Sequence, residues 1–317
     1  MHRIGYLLNE GFQVMTIATQ SVFEHTNLGA SAPFYSIENY SIEGGEVRSS
    51  LGMSVSTQPA PPPAQSGIDT WIVPGVNDPL SSPASPQTLA FLREASAHAR
   101  RMAGICTGGF VLAEAGLLAG RRASTHWFFA REMQMRFPDV RVEDDRIYVE
   151  DSGVWTSAGM TAGLDLALAM VERDLGADAA RSVAHKLVMH QRRSGGQSQH
   201  SEMLDLAPKS DRIQNALDYA RRNLGRALTV EELAEAVHLS PRQFSRVFTA
   251  ETGQSPARAV EGLRLEAARL MIERSTHPLD VIARETGFRD RRHMREAFQR
   301  GFGVPPQAVR REARGAF

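Results

Sequence analysis

The chain has 317 residues, room for two ordinary domains, and its 36 basic and 36 acidic residues cancel. The cancellation hides a split. Residues 208–317 carry 20 basic and 14 acidic side chains and residues 1–207 carry 16 and 22, an asymmetry that points to nucleic acid at the basic end. One cysteine, Cys106, excludes an intramolecular disulfide and fits a reducing compartment. No apolar run reaches membrane-spanning length; the stretch from Leu164 to Val171 is broken by Asp165. The N-terminus runs directly into a strand-like segment with no charged-then-apolar leader, so the chain reads as cytoplasmic, soluble and independent of membranes.

The first two thirds alternate strand and helix. Arg3–Leu8 reads as a short apolar strand and Gln13–Glu24 as a helix. Phe34–Ile42 and Val47–Val55 are strand candidates, and Gln58–Ser66, with four prolines, reads as a stiff surface loop. Thr70–Val73 is a buried strand ending at Pro74-Gly75, Gln87–Arg101 an amphipathic helix, Arg101–Ile105 a strand and Thr107–Leu118 a helix. Val140–Val149 and Val154–Thr156 follow as strands, then Met160–Leu175 and Ala177–Gln191 as helices. This alternation predicts an α/β domain over residues 1–193, a mainly parallel sheet with helices on both faces.

Its chemical centre is Gly104-Ile-Cys106-Thr-Gly-Gly109. A cysteine between a buried strand and a glycine-opened helix occupies a nucleophile-elbow position, and the helix N-terminus is expected to lower the thiol pKa. Gly108 and Gly109 allow close approach of backbone or ligand, and Gly75 can offer a backbone N–H to the same pocket. His126 is the nearby histidine suited to partner the thiol. A buried, inert thiol is the alternative reading of an isolated cysteine.

The surrounding text is Cys106-Thr-Gly108, Leu112 through Leu118, Thr125-His-Trp127, Trp155 through Gly159, Thr161 through Asp165, Asp174-Leu-Gly176 and Arg192 through Gln199. Over most of residues 3–200 it resembles the PfpI-like, glutamine-amidotransferase-like domain found fused to AraC modules in the GlxA family. The resemblance implies a ligand site formed by Cys106, Thr107, Gly75, His126, Trp127 and Thr16. In enzymatic relatives the cysteine is a nucleophile, assisted by a histidine and by an acidic residue after the first strand. Here Thr16 stands where those relatives place the acid, and Gly75-Val76 replaces the usual Gly-Gly. A threonine cannot exchange a proton as a carboxyl does. The domain is therefore expected to sense a ligand without catalysing, with Cys106 a vestigial nucleophile. Trp71 reads as strand core. Trp127 and Trp155 fall near the expected pocket, where aromatic walls suit cationic ligands.

Ser194–Ser210 is polar, glycine-bearing and without periodicity, which marks residues 194–210 as a linker. His190, His200 and the other histidines show no metal-ligand spacing; neither metal nor cofactor is expected.

Residues 211–317 carry two helix-turn-helix patterns, Thr229–Phe248 and Pro278–Phe298. Ala234 and Ala283 are the small residues that let a second helix cross closely. His238 and Gly287 stand at the turns, where a left-handed backbone is required. Ser240-Pro241 and Asp290 read as caps of the second helices. Phe244, Val247 and Phe248, and Met294, Ala297 and Phe298, are the inward faces. The outward faces carry Arg242, Gln243 and Arg246 in one unit and Arg289, Arg291, Arg292, His293 and Arg295 in the other. Arginine reads guanine and glutamine suits adenine in the major groove. Arg246, late in its helix, suits a phosphate or scaffold role.

Leu233-Ala234, Ser240-Pro-Arg242, Gly253-x-Ser-Pro256, Arg264-Leu-x-x-Ala267, Ile282-Ala283, Gly287-Phe288 and Gly303-Val-Pro-Pro306 are similar to the AraC-type transcription regulators. That resemblance implies seven helices. It also implies a rod from Pro256 to about Arg274 that sets both recognition helices on one face of double-stranded DNA, roughly 34 Å apart. It further implies a homodimer formed through the N-terminal domain, an unidentified small-molecule effector, activation more than repression, and RNA polymerase as a further partner. The alternatives are a cysteine-dependent hydrolase or hydratase with a DNA-binding head, and a thiol redox sensor in which Cys106 forms a sulfenate.

Overall fold

Alternation along β1 (His2–Leu7) and β5 (Thr70–Val73) builds a sheet with two covered faces. Ile4, Tyr6 and Ile72 enter one core, while Leu7, Trp71 and Val73 enter the other. In this computed structural model, residues 1–189, Arg193, Gly195, Gln199, Leu206, Pro208 and 210–315 are described. The chain divides into two units, Met1–Gln199 and His200–Phe317.

The other strands of the first unit are β2 (Tyr35–Ser41), β3 (Gly45–Arg48), β4 (Ser54–Pro59), β6 (Arg101–Gly104), β9 (Tyr148–Asp151) and β10 (Val154–Ser157), beside a small β7–β8 pair (Arg122–Ala123 and Arg141–Val142). The sheet order is β3-β4-β2-β1-β5-β6-β10-β9. Every pairing from β4 across to β10 is parallel, and antiparallel hairpins close both edges. One face is covered by α2 (Gln20–Asn27), α7 (Met160–Leu175) and α8 (Ala177–Lys186), the other by α4 (Pro86–His98) and α5 (Gly108–Glu114). The expected α/β architecture is present.

Several local expectations change. The single helix expected over Gln13–Glu24 is two, α1 (Val14–Ile17) and α2. Thr19 lies at the break: its hydroxyl is 2.6 Å from the Thr16 carbonyl and 2.7 Å from Tyr6 Oη, a side chain competing with helical backbone bonding. Val47–Val55 is not one strand but the turn of the β3–β4 hairpin, with Val47 opposite Val55. The proline-rich segment is only partly loop. Strand β4 runs through Pro59, and α3 (Pro63–Ser66) is a helical turn entered through proline. Helix α8 ends at Lys186; Gln191 lies outside the described residues. The first unit also extends past Arg193, because Gln199 packs back onto it. Its amide donates to the carbonyls of Thr125 and Asp144, both at 2.9 Å, and its backbone N–H donates to Asp145. Most of the expected 194–210 linker, with His190 and His200, lies outside the described residues.

The second unit shows seven helices among the described residues. They follow α6 (Trp127–Arg136) and α8 of the first unit as α9 (Asp211–Arg222), α10 (Val230–Glu235), α11 (Pro241–Thr252), α12 (Pro256–Arg274), α13 (Leu279–Glu285), α14 (Arg291–Phe302) and α15 (Pro306–Gly315). Ser210, Thr229, Ser240, Ser255 and Asp290 cap five of them through side-chain oxygens. The long α12 serves two cores. Ala259, Val260 and Leu263 pack with Phe244 and Phe248, while Leu265, Ala268 and Ile272 pack with Met294 and Phe298. Arg264 sits at the seam, donating to the Leu224 and Arg226 carbonyls at 3.3 and 2.6 Å.

Asp174, near the end of α7, ties helix to sheet. Its side chain is 2% exposed and accepts from Arg101, from Arg100 at 2.9 Å and from Tyr35 Oη at 2.9 Å. Burial pushes its pKa up, but the arginine and tyrosine donors outweigh burial and hold it below the ordinary value. A depressed folded pKa adds stability above the unfolded value, about 3.9, and loses it as pH falls through the folded one. Asp174→Ala should therefore cost about 3–5 kcal/mol at pH 7, since it strands the buried Arg101 guanidinium. Urea unfolding of the full chain checks this, and the gap to wild type should narrow as the buffer is taken well below pH 4.

Candidate functional site

Three strand ends meet at the carboxyl edge of the sheet, where open α/β folds bind ligands. The segment after β1 delivers Gln13, whose N–H donates to the Gly75 carbonyl at 2.9 Å. The segment after β5 delivers Pro74, Gly75 and Val76. The segment after β6 delivers Cys106, with φ +57°. That left-handed residue reverses the chain from strand to α5 as the elbow reading expects. The turn is tight enough that a Cβ on Gly108 would lie 2.2 Å from the Val73 carbonyl, and one on Gly75 2.2 Å from Thr107 Oγ1. Glycine is obligatory at both. Thr107 is fixed by donating to the Val76 carbonyl at 2.5 Å, and Thr125 Oγ1 donates to the Cys106 carbonyl at 3.1 Å.

The thiol does not have the acidity expected of it. Burial pushes Cys106 up to about 11, against the smaller lowering effects of the Thr107 N–H and the Gln13 side chain. Helix α5 is only seven residues long, and a helix terminus contributes typically about 0.3–1 kcal/mol, less than one pKa unit. Desolvation of a buried group reaches several units. Burial wins, and the thiol stays neutral at pH 7.

Gln13 was not among the expected site residues; its only signal is a position three before Thr16 on the same segment. Thr16 is fully buried on α1, and its Oγ1 and Gln13 Oε1 are buried without a hydrogen-bond partner. His126 is half-buried and caps α6, its Nδ1 accepting from the Phe128 N–H at 3.3 Å. The donors to the thiol are thus Thr107 and Gln13. Trp127 is 50% exposed and its N–H is taken by Gln199 Oε1 at 2.9 Å. Trp155 is not a pocket wall. Its ring lies under the guanidinium groups of Arg101 and Arg173, at 5.7 and 5.6 Å, and stacks on Tyr148. Asp165 is a structural residue: fully buried in α7, it accepts from Arg193 Nε at 2.9 Å and from the Arg193 backbone N–H at 2.7 Å.

In the second unit both helix-turn-helix turns take the required hand, His238 at φ +55° and Gly287 at φ +78°. A Cβ on Gly287 would lie 1.9 Å from the Leu224 carbonyl. Ala234 and Ala283 are buried where the helices cross. The outer faces of α11 and α14 hold Arg242, Gln243, Arg246, Arg291, Arg292 and Arg295, all exposed, with Arg289 just before the second cap. They are not equally available. Gln243 completes a capping box, its Oε1 accepting from the Ser240 backbone N–H at 3.3 Å and also from Ser240 Oγ at 2.8 Å, so a two-pronged contact with adenine would require giving that up. Arg289 pairs with Asp290 at 3.4 Å and Arg292 with Glu296 at 2.9 Å.

Positive charge concentrated on two groove-sized helices makes the second unit a DNA reader, so the molecule is a DNA-binding regulator attached to an enzyme-like α/β domain. Residues 3–173 match the DJ-1/PfpI family and residues 233–312 a helix-turn-helix domain. The chain belongs to the DJ-1/PfpI family, in the group of transcription regulators that carry an AraC-type helix-turn-helix domain. The HTH-type transcriptional regulator GlxA of Rhizobium meliloti strain 1021 is 30% identical over 322 residues, spanning 99% of this chain and 97% of that protein. Isonitrile hydratase of Pseudomonas putida is 38% identical over 120 residues, which span 38% of this chain and 51% of the enzyme. The crystal structure of an AraC family transcriptional regulator from Pseudomonas putida aligns with a TM-score of 0.54 at 24% identity. The alignment covers 59% of this chain and 100% of that one, a shared fold.

The burial of Cys106 has a measurable consequence. Its alkylation by iodoacetamide should be slow at pH 7 and rise with an inflection near pH 11. An inflection below about 8.5, the value of a free thiol, would show an activated thiolate instead.

Proposed function

We propose that the first unit binds a small molecule over Cys106 and passes its occupancy to DNA binding by the second, without chemistry on the ligand. The observation that carries this is the pair of buried oxygens left without partners, Gln13 Oε1 beside the thiol and Thr16 Oγ1 three residues further along the same segment. Each such group costs about 1–3 kcal/mol unless something bonds to it. A ligand bearing N–H or O–H donors, such as an amine, amidine or amide, recovers that cost. A quaternary ammonium group offers no such donor, and Trp155 is already covered by arginines. Catalysis is disfavoured by the neutral thiol and by the absence of an acid at Thr16. Sulfenate sensing is disfavoured on the same ground, since oxidation follows thiolate character and exposure.

The remaining parts of the reading follow the family. The protein works in the cytoplasm as a homodimer through its first unit, and it activates transcription in contact with RNA polymerase. Among the described residues no helix is long and apolar enough to cross a membrane, and no group of three His, Cys, Asp or Glu is placed to hold a metal. Arg242, Arg291, Arg292 and Arg295 are the strongest base-reading residues. Arg246 faces the duplex with them, and Gln243 is held to its cap.

Thr16→Val tests the pocket. It keeps the shape and removes the unpartnered hydroxyl, so the ligand-free protein should gain about 1 kcal/mol. It should also lose most of the shift in DNA affinity that a panel of amino acids, amines and amides produces in the wild type. Fluorescence anisotropy on the DNA upstream of the gene, with excess unrelated DNA present, reads the second effect. A destabilised Thr16→Val protein with an intact ligand response would overturn the assignment.

A further inference from the structure

We propose that Glu296 sets the base specificity of the second recognition helix: it pairs with Arg292 and presents a carboxylate to the major groove that favours a cytosine near an arginine-read guanine. The proposal rests on α11 and α14 being the DNA-facing helices.

The two units can be aligned by their buried residues. Phe244 and Phe248 correspond to Met294 and Phe298, all four with essentially no exposure. Arg242 then corresponds to Arg292, and Arg246 to Glu296. In the first unit both positions are exposed arginines, and no carboxylate among the described residues pairs with either. In the second unit the same two positions hold an ion pair, Arg292 Nε to Glu296 Oε1 at 2.9 Å, with side chains 87% and 50% exposed. So exposed a pair adds little to stability. Folding therefore gives no strong reason for a carboxylate on this face.

Against DNA the same carboxylate matters more. It repels phosphate, which lowers affinity for every sequence alike. Among base edges, a glutamate accepts from the N4 amino group of cytosine, while arginine takes guanine O6 and N7. Residues four apart on a helix rise by about 6 Å, close to two base-pair steps of about 3.4 Å. The Arg292–Glu296 pair thus fits a guanine and a cytosine one or two base pairs apart. The first unit, with arginines at both positions, supplies electrostatic affinity; the second gives up part of that affinity for discrimination.

The test compares the full-length wild type with Glu296→Gln, Arg292→Gln and Arg242→Gln. The probes are a duplex from the protected upstream DNA, its single base-pair variants and a random-sequence duplex. Glu296→Gln keeps the shape, removes the charge and suits adenine. It should bind the random duplex about fivefold more tightly at 0.15 M salt, with a salt dependence steeper by about one phosphate contact. It should also lose a wild-type preference of about tenfold or more for one G·C pair. Arg242→Gln removes a charge and a guanine contact, so it should weaken binding to the upstream duplex more than to the random one. Unchanged base preference and random-duplex affinity in Glu296→Gln, with Arg242→Gln still weakened, would overturn the role of Glu296 alone. Binding unaffected in all three variants would overturn it together with the DNA-facing assignment of the helices.

Discussion

A left-handed backbone recurs at points where a helix must begin almost at once after another element, among them Cys106 at φ +57°, His238 at +55° and Gly287 at +78°. For a residue with a side chain this conformation costs roughly 1–2 kcal/mol. The surrounding packing enforces it. At the elbow, Gly108 must pass within contact of the Val73 carbonyl, which no other residue could do. At the second helix-turn-helix, Gly287 lies against the Leu224 carbonyl and the Arg264 guanidinium. The left-handed turns put Cys106 at the carboxyl edge of the sheet and lay α11 and α14 across their partner helices. The sites in both units depend on that one backbone constraint.

The same scaffold gives the first unit an enzyme-like elbow whose thiol burial holds neutral. An elbow cysteine becomes a nucleophile when its thiolate is stabilised. Here a seven-residue helix and two hydrogen bonds act against near-complete burial, and burial prevails. What remains beside it is a pair of buried oxygens without partners, Gln13 Oε1 and Thr16 Oγ1.

Much of this was legible in the sequence because it is local. Ser240-Pro241 and Asp290 announce helix starts, and Ala234, His238, Ala283 and Gly287 fall at fixed offsets within each unit. The buried alternation of Thr70–Val73 and the glycines after Cys106 mark the elbow. The Ser240-x-x-Gln243 spacing even signals a capping box, which the base-reading expectation for Gln243 overlooked. What was not legible is tertiary. The break at Thr19 depends on Tyr6 from β1, the pKa of Cys106 on burial by elements far apart in sequence, and the extent of the first unit on Gln199 finding the carbonyls of Thr125 and Asp144. The ion pair that engages Arg292 has helical spacing, yet only the geometry shows it closed.

The central claim is that one rod, α12, presents two helix-turn-helix units to DNA as a pair. Hydroxyl-radical footprinting of the full-length protein on the DNA upstream of its gene tests this most directly. Two protected stretches about 10–10.5 base pairs apart on one face of the duplex are predicted for each bound chain. A single protected groove, or protection spread evenly over the fragment, would contradict it.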